Sequence, residues 1–111
     1  MPDAQHAPDP PQPMGRRHLQ HTLRAHAGEL HRLGVAHLSL FGSAARDEAG
    51  AGSDVDLLIE VLPGRAFSLW ALGETRVRLG EILGREVDVL IAQDIGAELR
   101  RRIAADLVPV F

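Results

Sequence analysis

The run Val55 to Leu62, VDLLIEVL, sets Leu57, Leu58 and Ile59 side by side. Side chains alternate between faces along a strand, so three successive apolar residues require cover on both sides of a sheet. This segment therefore reads as a central strand, ended by Pro63 and Gly64. At 111 residues, 45% of them hydrophobic and 24% charged, the chain has the material for one compact domain around such a strand.

The flanking segments supply the cover. From Arg16 to Leu33 the residues Leu19, Leu23, Ala27, Leu30 and Leu33 recur at three- and four-residue spacing, which predicts one helix stopped at Gly34. Val35 to Phe41, VAHLSLF, reads as a strand ending at Gly42. Ser43 to Ala49 reads as a short helix with Ser43 as its N-cap, followed by a loop at Gly50, Gly52 and Ser53. Ser68 to Leu83 predicts a long helix, with Leu69, Leu72, Leu79, Ile82 and Leu83 toward the core and Trp70 and Val77 on the opposite side. Glu86 to Ala92 is a third strand, with Val87, Val89 and Ile91 on one face and Asp88 on the other. Ile95, Leu99, Ile103 and Leu107 form the ridge of a last helix that ends before VPVF. The order α-β-α-β-α-β-α, without internal repeat, predicts a small mixed β-sheet covered by helices in the α/β (α+β) class.

Residues 1–15, MPDAQHAPDPPQPMG, hold five of the seven prolines and almost no large apolar side chain, so a disordered tail is expected there and the domain over 16–111. Met14 offers a second translation start. The net charge of −3 argues against gripping nucleic acid through the overall field, and no direct DNA binding is expected. With no cysteine, disulfides and thiolate metal sites are excluded. No apolar run reaches membrane-spanning length and no signal-peptide core is present, so a soluble cytoplasmic protein is expected. His18, His21, His26 and His31 lack a complete ligand set and read as a solvated helix surface. Arg100, Arg101 and Arg102 read as a solvated helix face near a C-terminus.

Asp54 and Asp56 stand at the entrance to the central strand, where burial of a carboxylate is costly. Positions two apart share a face at roughly 6.5–7 Å along the strand, too far to share one proton. That spacing suits carboxylates that hold one cation between them or bridge a pair of divalent ions, and hard oxygen ligands imply magnesium or manganese. The chain has no lysine to neutralise them. Ten residues earlier, Gly42 and Ser43 end a strand and open a helix, where backbone N–H groups and a hydroxyl can receive phosphate. Glycine removes the side chain that would hold the phosphate off.

Gly42-Ser43, ten residues, then Asp54-Val55-Asp56 before Leu-Leu-Ile resembles the signature of the DNA polymerase β-type nucleotidyltransferases. The compact chain, Ala45-Arg46 after the serine, and Val87-Asp88-Val89 on a later strand are most similar to the minimal nucleotidyltransferases, over about residues 18–111. The resemblance implies that Gly42 and Ser43, with Arg46 beside them, bind the phosphates of ATP. It implies that Asp54 and Asp56 bind Mg²⁺, as two ions, and that Asp88 completes the metal site and helps deprotonate the attacking hydroxyl. One departure stands out: many relatives have glycine where this chain has Asp47, which adds a carboxylate near the phosphate turn.

In the minimal family the usual partner is a HEPN-type ribonuclease toxin, whose tyrosine receives AMP from the nucleotidyltransferase antitoxin. This chain has no tyrosine of its own to serve as acceptor, which favours modification in trans. Trp70 and Val77 are candidate contacts for that partner. Alternatives from other classes are an antitoxin that works by binding alone, and an adenylyltransferase of a small molecule or RNA.

Overall fold

The computed structural model describes residues 15–48, 54–64 and 66–111. The tail expected over residues 1–15 lies outside them except for Gly15, as do Ala49 and the loop expected at Gly50, Gly52 and Ser53. The described chain runs α1 (Arg16–Ala25), α2 (Ala27–Leu33), β1 (Val35–Phe41), α3 (Gly42–Ala45), β2 (Val55–Val61), α4 (Leu69–Leu83), β3 (Val87–Ile91), a 3₁₀ turn (Ala92–Asp94), α5 (Ala97–Ala104) and β4 (Val108–Pro109).

The strands form one mixed sheet in the order β3-β2-β1-β4. β1 runs antiparallel to both β2 and β4, and β2 pairs parallel with β3 across the α4 crossover. β2 is thus an inner strand covered on both faces, as its apolar run requires. Leu57 and Ile59 are fully buried in the cluster that includes Leu19 and Leu23 of α1, Leu30 of α2, and Leu79 and Leu83 of α4. Leu58 points the other way, with Leu90, Ala92 and Ile103 under α5.

The last helix is shorter than its expected ridge, since Ile95 and Leu107 lie outside α5, and four further features depart from the sequence expectation. The N-terminal helix is two helices: His26, at φ −104° and ψ 14°, closes α1 through its N–H to Leu23, and Gly28 weakens the helix just beyond. Ser43 is not an N-cap, because α3 begins one residue earlier, with Phe41 in that position and no side-chain cap bond. Leu69 is not a core residue: at the first position of α4 it is 84% exposed, beyond the end of the packed face.

The VPVF tail is the fourth. Val108 and Pro109 pair with Leu40 and Ser39, Val110 is buried, and the Phe111 carbonyl accepts the Leu38 N–H at 3.2 Å. Gln20 and Arg24 of α1 donate to the carbonyls of Pro109 and Val110. A two-residue strand containing proline gives little sequence signal, yet proline is tolerated at a sheet edge, where one side of the strand needs no partner.

Candidate active site

Strand register brings the predicted acidic residues together. Phe41 of β1 lies opposite Asp56 of β2, and Asp56 lies beside Asp88 of β3, so the three make one row across the sheet. Neighbouring strands are about 4.8 Å apart, which makes Asp56 and Asp88 immediate neighbours. The row sits on the face that α5 covers at Leu58 and Leu90, past the end of that cover. Asp54, exposed and just ahead of β2, shares the alternation that puts Asp56 on this face.

Burial, then the charges of Asp88 and Asp54, push the Asp56 carboxyl up from its ordinary value; the positive charge of Arg46 is a smaller opposing influence. Three carboxylates that feel one another in a chain without lysine form a site in need of positive charge. Arg46 does not supply it directly. Its guanidinium pairs with Glu48 at 2.9 Å and Asp106 at 2.7 Å, tying the turn after α3 to the segment after α5.

The phosphate turn abuts the same row. Gly42 has φ +69°, and a Cβ built there would run into the Asp56 carboxylate, whose Cγ would be 3.3 Å away. Glycine is therefore required both by the backbone and by the carboxylate packed against it. The chemistry of the donor set, hard oxygens with an uncompensated negative field, fits a divalent cation. Among the described residues no three His, Asp or Glu side chains are already closed around a metal position. Among the helical histidines, the His26 ring meets Glu29 at 3.3 Å, and His31 Nδ1 meets the Val35 carbonyl at 2.8 Å.

The chain matches the nucleotidyltransferase domain family over residues 23–110, a span that contains the whole constellation. It belongs to that family. This nucleotidyltransferase is 43% identical over 78 residues to a candidate protein adenylyltransferase of Methanocaldococcus jannaschii, covering 70% of this chain and 82% of the relative. It is 33% identical over 95 residues to the protein adenylyltransferase MntA of Thermococcus cleftensis, covering 83% of this chain and 92% of the relative. Its fold is shared with a chain from the complex of tri-AMPylated Shewanella oneidensis HEPN toxin with MNT antitoxin, at a TM-score of 0.62 and 16% identity. That match covers 84% of this nucleotidyltransferase and 71% of the other chain.

Two residues near the site carry roles that sequence reasoning missed. Asp47 has φ +62°, a conformation that favours glycine, and its Oδ1 accepts the Arg16 N–H at 2.8 Å. The carboxylate expected near the phosphate turn is thus turned to the N-terminus of α1, whose own N-cap, Gly15, has no side chain to offer. Arg76 of α4 donates to the Val87 carbonyl at 3.3 Å and lines a cleft of about 450 Å³ with Asp88. The glycine expected at position 47 was a signal for the first. Nothing local marks the second, since β3 and α4 meet only in the fold.

Proposed function

We propose that this nucleotidyltransferase transfers AMP from ATP to a tyrosine hydroxyl of a HEPN-type toxin and so acts as its antitoxin. The observation that carries the reading is the packing of Asp56 against Gly42 with Asp88 beside it. It joins the phosphate turn and the acidic row into one site. The protein adenylyltransferase names of the two relatives and the AMPylated toxin in the Shewanella complex support the choice of acceptor.

In this reading the Gly42–Ser43 turn receives the β- and γ-phosphates through backbone N–H groups and the serine hydroxyl. Asp54, Asp56 and Asp88 would hold Mg²⁺, which supplies charge neutralisation for the triphosphate and for in-line displacement at the α-phosphorus. Asp88, the most exposed end of the row, takes the proton of the entering hydroxyl. The new bond joins the acceptor oxygen to the α-phosphorus, the bond to the bridging oxygen breaks, and pyrophosphate leaves. Arg46 steadies the turn through Glu48 and Asp106 while adding positive charge near it. With ATP as donor, a cytoplasmic reaction is part of the same proposal.

The test is intact mass spectrometry of the chain and its gene-neighbour HEPN protein, incubated with ATP and Mg²⁺. The expected result is a gain of one or more AMP units on the HEPN chain that disappears in the Asp54→Asn, Asp56→Asn variant. A tight complex without mass gain would show an antitoxin that acts by binding alone.

A further inference from the structure

Among the described residues the exposed large hydrophobic side chains all lie on one helix: Leu69 at 84%, Trp70 at 80% and Val77 at 62%. At 100° per residue Trp70 and Val77 fall on the side of α4 turned away from Leu79 and Leu83, which fill the core, while Leu69 continues the core side past its packed end. The helix therefore has two apolar faces, only one of them used within the chain.

Gly73 lies between these side chains. A glycine inside a helix is destabilising relative to alanine, so an internal reason is expected. Gly80 has one, since a Cβ there would come within 3.2 Å of the Arg85 carbonyl. Gly73 has none: among the described residues, apart from its chain neighbours and the surrounding helix backbone, no atom lies within 4 Å of a Cβ built on it. With Trp70 and Val77 as walls, its missing side chain leaves a notch into which another chain can seat.

Two further observations select the occupant. The notch opens into the cleft of about 450 Å³ between α4 and β3, where Leu69, Gly73 and Arg76 face Asp88, Val89 and Leu90. A chain resting on α4 thus reaches the edge strand β3 at Asp88, whose carboxylate stands on the sheet face beyond that edge. Along the other rim stand Glu74 and Glu81, and of the neighbouring charges Arg78 pairs with Glu29 and also reaches Glu81 at 3.4 Å. A second copy would bring the same carboxylate-rich rim against its own mate, whereas lysines or arginines would complement Glu74.

The geometry points to the outward face of α4, centred on Gly73 between Trp70 and Val77, as the docking surface for an amphipathic helix of the AMP acceptor. That helix would carry an apolar ridge over Gly73 and basic residues against Glu74. This rests on the proposed transfer to another chain, but binding and transfer are read separately.

The probe is the gene-neighbour HEPN protein, titrated against the wild type, Gly73→Gln and Val77→Glu, with melting temperature and AMP gain measured on the same samples. Gly73→Gln enters open space and replaces glycine with a better helix former, so it should hold or raise the melting temperature while weakening binding at least about tenfold. Val77→Glu should weaken it as much, with the fold intact. Glu74→Lys should also weaken binding, and more at low salt. Unchanged affinity in the folded Gly73→Gln and Val77→Glu variants, or no binding of the HEPN protein to the wild type, would overturn the docking surface. So would a homodimer by analytical ultracentrifugation that Gly73→Gln disrupts. Variant-sensitive binding without AMP transfer would support the surface and overturn the enzymatic reading instead.

Discussion

Asp47 shows how one residue can be held in a conformation its side chain disfavours. With φ at +62° the backbone bears strain that glycine would avoid, and the bond from the Arg16 N–H to its carboxylate offsets that strain by satisfying a helix terminus. Asp47→Ala keeps the strain and loses the bond, so it should destabilise the fold by about 1–2 kcal/mol in urea denaturation. Asp47→Asn, which tolerates this conformation and still presents a carbonyl oxygen, should stay within about 0.5 kcal/mol of wild type. Gly42 is bound by two constraints of a different kind, its φ of +69° and the Asp56 carboxylate against its Cα. Gly42→Ala must move that carboxylate to make room. Its expected effect is a loss of about 1–3 kcal/mol of stability together with at least a tenfold loss of AMP transfer, checked by denaturation and by mass gain on the HEPN partner.

Among the elements, legibility followed periodicity. β1 and β2 were plain because their β-branched and leucine-rich runs are long and bounded by glycine or proline, and α4 was plain because Ser68 caps it through the Ala71 N–H at 3.0 Å. β4 was not, since two residues cannot show an alternation and their pairing with β1 is purely long-range. The break between α1 and α2 was also hidden, because Leu19, Leu23 and Leu30 keep helical spacing across it. One joint between elements carries a pH dependence. Arg78 of α4 grips Glu29 of α2 through both carboxylate oxygens, and this hydrogen-bonded pairing lowers the Glu29 carboxyl from 4.5 to about 2. A carboxyl lowered on folding stabilises the fold above its unfolded value and loses that contribution as pH falls toward the folded one. Melting temperature should therefore decline between about pH 4.5 and 2 more steeply in the wild type than in Arg78→Gln. The difference should shrink in added salt, because the pair is about a third exposed.

At the scale of the whole molecule, the sequence made the acidic site legible as residues in order, but not as a surface. Gly42, Asp54 and Asp56 could be read from spacing, whereas the row Phe41–Asp56–Asp88 depends on β3 pairing parallel with β2, which no local pattern states. The same assembly has a thermodynamic consequence. A sheet that sets Asp56 between burial and two neighbouring carboxylates carries an internal repulsion that the rest of the fold must outweigh. Asp56→Asn removes one charge from that repulsion, so without added metal at neutral pH the variant should melt higher than wild type. The rise should be up to about 5 °C, the shift made by roughly 1 kcal/mol in a domain of this size. Magnesium should act in the opposite order. At one hundred times its dissociation constant it should stabilise the wild type by about 2.7 kcal/mol and leave the Asp54→Asn, Asp56→Asn variant nearly unchanged. If the wild type melts at the same temperature with and without millimolar Mg²⁺, these carboxylates do not form the metal site in the free protein, and bound ATP must complete it.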